Sequence, residues 1–285
     1  MVNKTISEKS ISIKPFLKWA GGKRKLLTKL MEYAPENYLT YHEPFVGGGA
    51  LLLALHPKSA VINDINTQLI TVYRVIRDNV EALINELRKH KNNKEYFYQI
   101  RNLDRRENFN ALSDTLKAAR IIYLNKTCYN GLFRVNKKGF FNVPFGRYKN
   151  PDIVNEENLR AVSDYLRENH IELLNIDFQE ALKKAKKGDF VYLDPPYHPI
   201  NETSNFTNYT DDGFGKKEQI KLKQTCDELN ERGCFFLLSN SYTPFIREIY
   251  KDYEKYTITV QMPRSINCKA SSRGKINELL IKNYE

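Results

Sequence analysis

The stretch Thr40-Tyr41-His42-Glu43-Pro44-Phe45-Val46-Gly47-Gly48-Gly49-Ala50-Leu51-Leu52-Leu53-Ala54-Leu55, continued by Ser59-Ala60-Val61-Ile62-Asn63-Asp64, decides the fold. Thr40 to Val46 reads as a strand that runs into three glycines. Ala50 to Leu55 is an apolar helical stretch. Ser59 to Ile62 reads as a second strand, ending at the polar pair Asn63-Asp64. Strand, glycine turn, helix, strand and acid is the pattern of the first half of a Rossmann-like sheet. Such a glycine turn lets a ligand approach the backbone closely. The loop is not G-x-G-x-x-G, so a dinucleotide is disfavoured.

Outward from there the alternation continues. Glu172 to Ile176, Asp189 to Leu193 and Cys234 to Leu238 read as strands, with a helix from about Lys216 to Glu231 before the last of them. Tyr256 to Gln261 and Ile276 to Asn283 read as a closing antiparallel pair. Asn66 to Asn130 breaks the alternation: it is helix-rich, with one long helix around Leu116 to Leu124. Phe133-Arg134-Val135, the turn Asn136-Lys137-Lys138-Gly139, and Phe140-Phe141-Asn142-Val143 then read as a β-hairpin. Pro151 marks the return to the sheet. The expected fold class is α/β, with residues 66–150 inserted as a helical module carrying the hairpin and residues 1–65 and 151–285 forming the sheet domain.

Charge narrows the partner. Lys plus Arg number 45 against 34 for Asp plus Glu, a net +11 over 285 residues. Such a basic chain suits a polyanion, although a solvated basic face gives the same count. No apolar run approaches membrane-spanning length. Met1 to Ser12 is polar, lacks a signal-peptide core and reads as a loose arm. Cys128, Cys226, Cys234 and Cys268 form no C-x-x-C pair. They read as reduced thiols of a cytoplasmic protein, and no metal site is expected.

The chemistry concentrates after the strand Phe190-Val191-Tyr192-Leu193, where Asp194-Pro195-Pro196-Tyr197 follows. Ligands of open α/β sheets bind at the carboxyl ends of the strands. The prolines prevent the turn from continuing a helix or a ladder. The Asp194 carboxylate and nearby carbonyls can then face one small group, and Tyr197 offers a stacking surface. Acceptors beside a stacking ring suit an exocyclic amine on a nucleobase; a plain Pro-rich turn is the alternative. Asp64 suits a ribose hydroxyl pair, or equally an N-cap for the segment beginning at Ile65. Trp19 can wall a pocket or sit in the core. Lys23 can approach a carboxylate or stay solvated. Asp177 can accept from an adenine amine while Phe178 packs on the ring, or the two can simply end a strand and enter the core.

Taken together, these blocks resemble the Dam family of DNA adenine methyltransferases. The resemblance rests on Phe16-Leu17-Lys18-Trp19-Ala20-Gly21-Gly22-Lys23, Glu43-Pro44-Phe45-Val46-Gly47-Gly48-Gly49-Ala50 and Asn63-Asp64-Ile65-Asn66. It continues through Tyr129-Asn130-Gly131-Leu132-Phe133-Arg134-Val135-Asn136, Phe141-Asn142-Val143-Pro144-Phe145-Gly146-Arg147-Tyr148 and Asp194-Pro195-Pro196-Tyr197. The order is that family's order, and the match spans nearly the whole chain. It is most similar to the DpnM-type members linked to restriction–modification systems. Gly48-Gly49-Ala50 stands where some relatives carry Ala-Gly-Ser, a conservative departure.

The resemblance implies S-adenosylmethionine as cofactor, held by Trp19, Lys23, Phe45, Gly47, Gly49, Asp64, Asp177, Phe178 and Asp194. It implies Asp194, Pro195, Pro196 and Tyr197 as the catalytic turn, acting on the adenine of GATC in double-stranded DNA after the base is flipped out. On the DNA side, Arg134 can read guanine O6 and N7, and Lys18 a guanine beside the target. Leu132 and Pro144 can touch a thymine methyl, Tyr129 can wedge into the stack, and Asn130 can hold backbone or the orphaned base. Arg147, Lys149, Arg264, Lys269, Arg273 and Lys275 suit phosphates. His198 to Gly215 reads as a loop at the mouth of the base pocket, with Asn201 to Asp212 closing as a lid. A monomer or weak dimer in a prokaryotic or phage-infected cell is expected. Two other readings stand beside this one: a cytosine-N4 DNA methyltransferase, and a DNA-binding relative without catalysis.

Overall fold

The computed structural model describes residues 13–200, 214–263 and 275–285, apart from positions 20, 22, 24 and 25. The expected N-terminal arm, the lid segment Asn201 to Asp212, Cys268, the phosphate candidates Arg264, Lys269 and Arg273, and the side chain of Lys275 lie outside the described residues.

After a short helix α1 (Leu27–Tyr33) the chain enters β1 (Tyr41–Glu43), α2 (Ala50–Leu55) and β2 (Ser59–Asn63). The sheet is completed by β3 (His170–Leu174), β4 (Phe190–Leu193), β5 (Phe235–Ser241), β6 (Thr257–Pro263) and β7 (Lys275–Lys282). Its order is β3-β2-β1-β4-β5-β7-β6. The first five strands pair in parallel, and β7 runs antiparallel between β5 and β6. The chain reverses its direction of winding between β1 and β4, so a crevice opens beyond their carboxyl ends.

Strand β4 explains why its sequence is continuously apolar. Phe190 and Tyr192 join a buried cluster on one face, and Val191 and Leu193 join a second on the other. A parallel strand covered on both faces needs apolar residues at every position. Helices α6 (Glu156–Glu168), α7 (Phe178–Ala181), α8 (Lys216–Glu231) and α9 (Pro244–Ile249) complete the layers.

β1, β3 and β5 depart most from the sequence expectation, β5 running on past Leu238 through Ser239-Asn240-Ser241. β1 spans Tyr41–Glu43 rather than running to Val46, because Pro44 has no N–H for the ladder. β3 starts at His170 and ends at Leu174. Beyond it the Asn63 side chain takes over the pairing: Oδ1 accepts from the Ile176 N–H and Nδ2 donates to the Ile176 carbonyl, at 2.9 and 3.0 Å. α2 and α8 fall where expected.

Residues 66–150 carry α3 (Thr67–Arg88), α4 (Lys94–Arg101) and α5 (Asp114–Thr127). Asn66, Asn93 and Ser113 cap their N-termini by accepting from Leu69, Tyr96 and Leu116 N–H groups. α3 is interrupted at Asn79, whose backbone is non-helical. Arg120 of α5 is buried and pairs with Asp104 at 2.7 Å. Its guanidinium also donates to the Ile100 and Arg101 carbonyls.

The segment from Phe133 to Val143 turns back on itself around Asn136 and Gly139. The pairing is sparser than the expected hairpin ladder, with an isolated bridge between Val135 and Phe141. Side chains compete for the ladder groups. The Phe141 N–H goes to Asp104 Oδ2 at 2.7 Å, and the Phe141 carbonyl accepts from Arg105 at 2.9 Å. The same buried Asp104 therefore answers Arg120 and anchors the hairpin.

Candidate active site

Three segments converge at the carboxyl ends of β1, β2 and β4. The first is the glycine loop. Gly47 and Gly49 hold φ of +49° and +66°, values that L side chains rarely adopt. A Cβ on Gly49 would lie 2.5 Å from the Tyr73 hydroxyl, and one on Gly47 would lie 3.0 Å from the Trp19 ring. Tyr73, on α3, donates to the Gly47 carbonyl at 3.1 Å. Trp19 stacks on Phe133 of the hairpin at 4.7 Å. The loop is thus laid on two aromatic side chains, and Trp19 joins it to the hairpin.

Asp64 follows β2 and closes this loop. Oδ2 accepts from the Gly47 N–H at 3.1 Å and Oδ1 from the Asn66 N–H at 2.9 Å. Burial raises the Asp64 carboxyl, and those two N–H groups pull it back. Asn66, not Asp64, is the N-cap of α3. The next residue, Ile65, is 74% exposed, and Ile176 is also exposed. Both are fixed by neighbouring amides, since Asn175 donates to the Asp64 carbonyl and Asn63 to that of Ile176. On the other side Phe45, Phe178 and Phe214 pack with centroids 5.3 to 6.0 Å apart. Asp177 caps α7 by accepting from the Gln179 N–H, and its second oxygen lies 3.5 Å from Lys221.

The second segment is the turn after β4. Asp194 Oδ1 receives the Lys23 ammonium at 3.0 Å and the Ser239 hydroxyl at 3.2 Å. Among the described residues none bonds the other oxygen. Lys23 also donates to the Tyr197 hydroxyl at 2.6 Å, its ammonium 4.1 Å from the ring centroid. Tyr197 in turn donates to Glu278 Oε2 at 3.1 Å. Burial raises the Asp194 carboxyl, opposed by Lys23 and Ser239. Burial would lower Lys23, but the charges around it, Asp194 foremost, outweigh that and leave it raised. Behind them the buried Glu43 is raised well above the carboxylate range by burial, opposed by the Tyr41 hydroxyl and reinforced by Asp194.

The backbone of the turn is clamped by buried amides. Gln219 of α8 donates to the Pro196 carbonyl at 2.9 Å and accepts from Asn240. Asn240 accepts the His198 N–H, and Ser241 donates to the His198 carbonyl. Pro195 is buried and Pro196 exposed.

The third segment is the root and edge of the hairpin. Asn125 of α5 bonds both backbone groups of Lys18 and donates to the Gly131 carbonyl. Lys18 thus lies against the hairpin root, its ammonium 5.8 Å from the Tyr148 ring. Tyr129 is 53% exposed, and Asn130, Arg134, Pro144 and Arg147 are exposed as well. Asn130 and Arg147 hold φ of +57° and +56°. Arg134 is aimed by Asn142, whose Oδ1 accepts its Nε at 2.7 Å. Leu132 is partly buried against the core.

Contacts join Trp19 to Gly47, Gly47 to Asp64, Phe45 to the buried Phe178, and Lys23 to Asp194 and Tyr197, while Lys18 lies against the hairpin root and Asp177 caps α7. Sequence reading missed Tyr73, Ser239, Asn240, Gln219, Glu43 and Glu278. Only the polar Ser239-Asn240-Ser241 run, following the apolar stretch of β5, carried a visible signal.

Comparison with known proteins places this geometry. Residues 19–263 match the family described as D12 class N6 adenine-specific DNA methyltransferase. A protein of Lactococcus lactis named type II methyltransferase M1.LlaDCHI is 46% identical, over 98% of each chain. One of Methanocaldococcus jannaschii named type II methyltransferase M.MjaIII is 42% identical, over 96% of this chain and all of its own. A DNA adenine methylase of Haemophilus influenzae is 34% identical, over 94% of this chain and 92% of its own. With a crevice that pairs a glycine loop with a carboxylate turn, the chain belongs to the D12 class of N6 adenine-specific DNA methyltransferases.

Proposed function

We propose that the chain methylates N6 of the adenine in GATC, in double-stranded DNA, with S-adenosylmethionine as donor and the target base flipped out of the helix. The observation that carries the reading is the arrangement at Asp194: two donors occupy one oxygen, and the other can accept from an exocyclic amine. Adenine N6 is a poor nucleophile because its lone pair is delocalised into the ring. Accepting its N–H bonds at Asp194 and the Pro195 carbonyl favours a pyramidal nitrogen with a directed lone pair. Positioning and electrostatics then supply most of the rate.

The residues present fit the cofactor. Positive φ at Gly47 and Gly49 shapes a turn whose backbone would carry the cofactor, its Cβ positions facing Trp19 and Tyr73. Asp64 retains lone pairs for ribose hydroxyls. Ile65 and Ile176 offer exposed apolar surface for an adenine ring, with Asp177 at its edge and Phe178 buried in the core. When bound, S-adenosylmethionine supplies a methyl group already activated on a sulfonium sulfur. Tyr197 stacks on the flipped base, since a base within the duplex cannot reach a buried carboxylate.

Residues 66–150 serve as the target-recognition module in this reading, and residues 1–65 and 151–285 as the catalytic domain. Arg134, Lys18, Leu132 and Pro144 read the bases. Tyr129 and Asn130 replace the flipped one, and Arg147 holds phosphate. The relatives named type II methyltransferases support a role in host protection within a restriction–modification system. A cytoplasmic monomer or weak dimer is in keeping with this; among the described residues no helix is long and apolar enough to cross a membrane.

The test is to express the chain in cells lacking adenine methylation and sequence their DNA by a method that reads modified bases. N6-methyladenine confined to GATC is the expected result. N4-methylcytosine, or unmodified DNA from cells holding folded protein, would overturn the reading.

A further inference from the structure

Glu278 lies at an odd place for a carboxylate. On β7 it pairs in register with Ser241, at the carboxyl end of β5. Leu280, two residues on and so on the same face, joins the buried cluster that holds Tyr192. Glu278 therefore continues an apolar face, yet it is charged and half-buried. What it meets there is the Tyr197 hydroxyl.

The hydrogen bonds from Glu278 inward are directional. Its Oε2 takes the phenol hydrogen at 3.1 Å. The Tyr197 oxygen is thereby left as an acceptor, and it receives Lys23 at 2.6 Å. Lys23 in turn holds Asp194 Oδ1 at 3.0 Å. Were the phenol hydrogen free to rotate, it could point at Lys23 and break this sequence. The other partner of Asp194, Ser239, lies 3.1 Å from the hydroxyl of the buried Tyr192 and bears on the Tyr197 hydroxyl as well. Among the described residues, Glu278 is the carboxylate that the Tyr197 hydroxyl meets.

We infer that Glu278 is a positioning residue for methyl transfer: through the Tyr197 hydroxyl it fixes the Lys23 ammonium on one oxygen of Asp194, reserving the other for the target amine. The same bond sets the tilt of the Tyr197 ring on which the base stacks. This rests on the reading of Asp194 as amine acceptor. Glu278 touches neither base nor cofactor in this scheme, and its effect passes through the phenol oxygen.

A double-mutant cycle on the full-length protein isolates that route. Single-turnover transfer of labelled methyl to a GATC duplex is measured at saturating cofactor for wild type, Glu278→Ala, Tyr197→Phe and the double variant. Losing a hydrogen bond to a charged group predicts a Glu278→Ala rate lower by roughly tenfold to a hundredfold, with cofactor affinity little changed. The double variant should be no slower than Tyr197→Phe alone. Glu278→Gln keeps an acceptor and should recover most of the rate. A duplex with 2-aminopurine at the target position gives a readout without transfer: Glu278→Ala should alter the quenching of the flipped base by Tyr197. A wild-type rate in Glu278→Ala, additive losses in the double variant, or a loss carried wholly by cofactor affinity would overturn the inference. A wild type that puts no methyl on adenine would overturn the underlying reading instead.

Discussion

Around Asp194 to His198 the partners are buried: Lys23, Ser239, Gln219 and Asn240 hold side chain and backbone alike. Along the hairpin the inward side chains Phe133, Phe141 and Val143 are buried, and Arg120 and Asp104 tie down Phe141. Its outer edge, with Tyr129, Asn130, Arg134 and Arg147, faces water. The chemistry of the crevice is therefore preorganised, with little left to arrange when substrate arrives. Side chains on the hairpin edge keep rotamer freedom, which they lose only on contact with a partner. In the proposed function the first region serves rate and the second discrimination.

Replacing the carboxylate should hit rate hardest. Asp194→Ala is expected to cut single-turnover methyl transfer by about 10³-fold or more in protein that still folds. It leaves Lys23 without its main counter-ion, so Asp194→Asn is the control that keeps the shape. Near-normal transfer in both variants would break the distinction between the regions. Because burial raises the Asp194 carboxyl, the acid limb of the single-turnover pH profile should lie above that of a solvated aspartate. Activity is lost as pH falls through that limb, and the limb should vanish in Asp194→Asn.

The hairpin anchor comes next. Asp104→Ala removes the partner of a buried guanidinium and should cost about 3–5 kcal/mol in urea unfolding. In the folded fraction, calorimetry should show weaker binding of DNA and unchanged binding of cofactor. Equal loss of both would mean that the two regions are one mechanical unit.

Arg134→Ala should cost about 1–3 kcal/mol on the cognate duplex and much less on a duplex altered at the guanine it reads. Arg147→Ala should weaken all duplexes alike. Binding titrations on matched and mismatched duplexes separate the two. A uniform loss for Arg134→Ala would make it a backbone contact.

The smallest effect concerns Glu43, buried beside the crevice. Its carboxyl is raised well above the unfolded value, so the folded chain keeps a proton that the unfolded chain releases. That contribution to stability is complete below the unfolded value and is lost as pH rises toward the folded one. Glu43→Gln removes the titration, so its melting temperature should gain on wild type as pH rises. Parallel curves would show Glu43 ionised in the folded protein.

Much of this was legible in the sequence because local signals agreed with the fold. The glycine run, the apolar β4 stretch and the helix ending at Glu231 each carry their own period. β1 was overextended because alternation continued past Pro44, where the ladder cannot. The hairpin was legible as a turn, whereas its sparse pairing depends on Asp104, some thirty residues earlier. Tyr73 was missed because a buried tyrosine on α3 reads as core, and only the folded loop brings Gly49 against its hydroxyl. Glu278 was missed because a single charge on a strand reads as a solvated face. Its partner Tyr197 is 81 residues away in the chain.

The position of β7 bears on how the chain is made. Residues 275–282 are the latest of the described strands to be synthesised, yet they lie between β5 and β6 rather than at an edge. Until they dock, β5 presents unpaired N–H and C=O groups along a strand that is apolar over much of its length. Such an edge invites pairing with another chain. Docking also closes contacts far apart in sequence, which slows folding. On the ribosome, a nascent chain would therefore expose a sticky margin at β5 until β7 emerges. Slower growth temperatures or a chaperone that covers β5 should then raise the yield of active protein more than the yield of total protein.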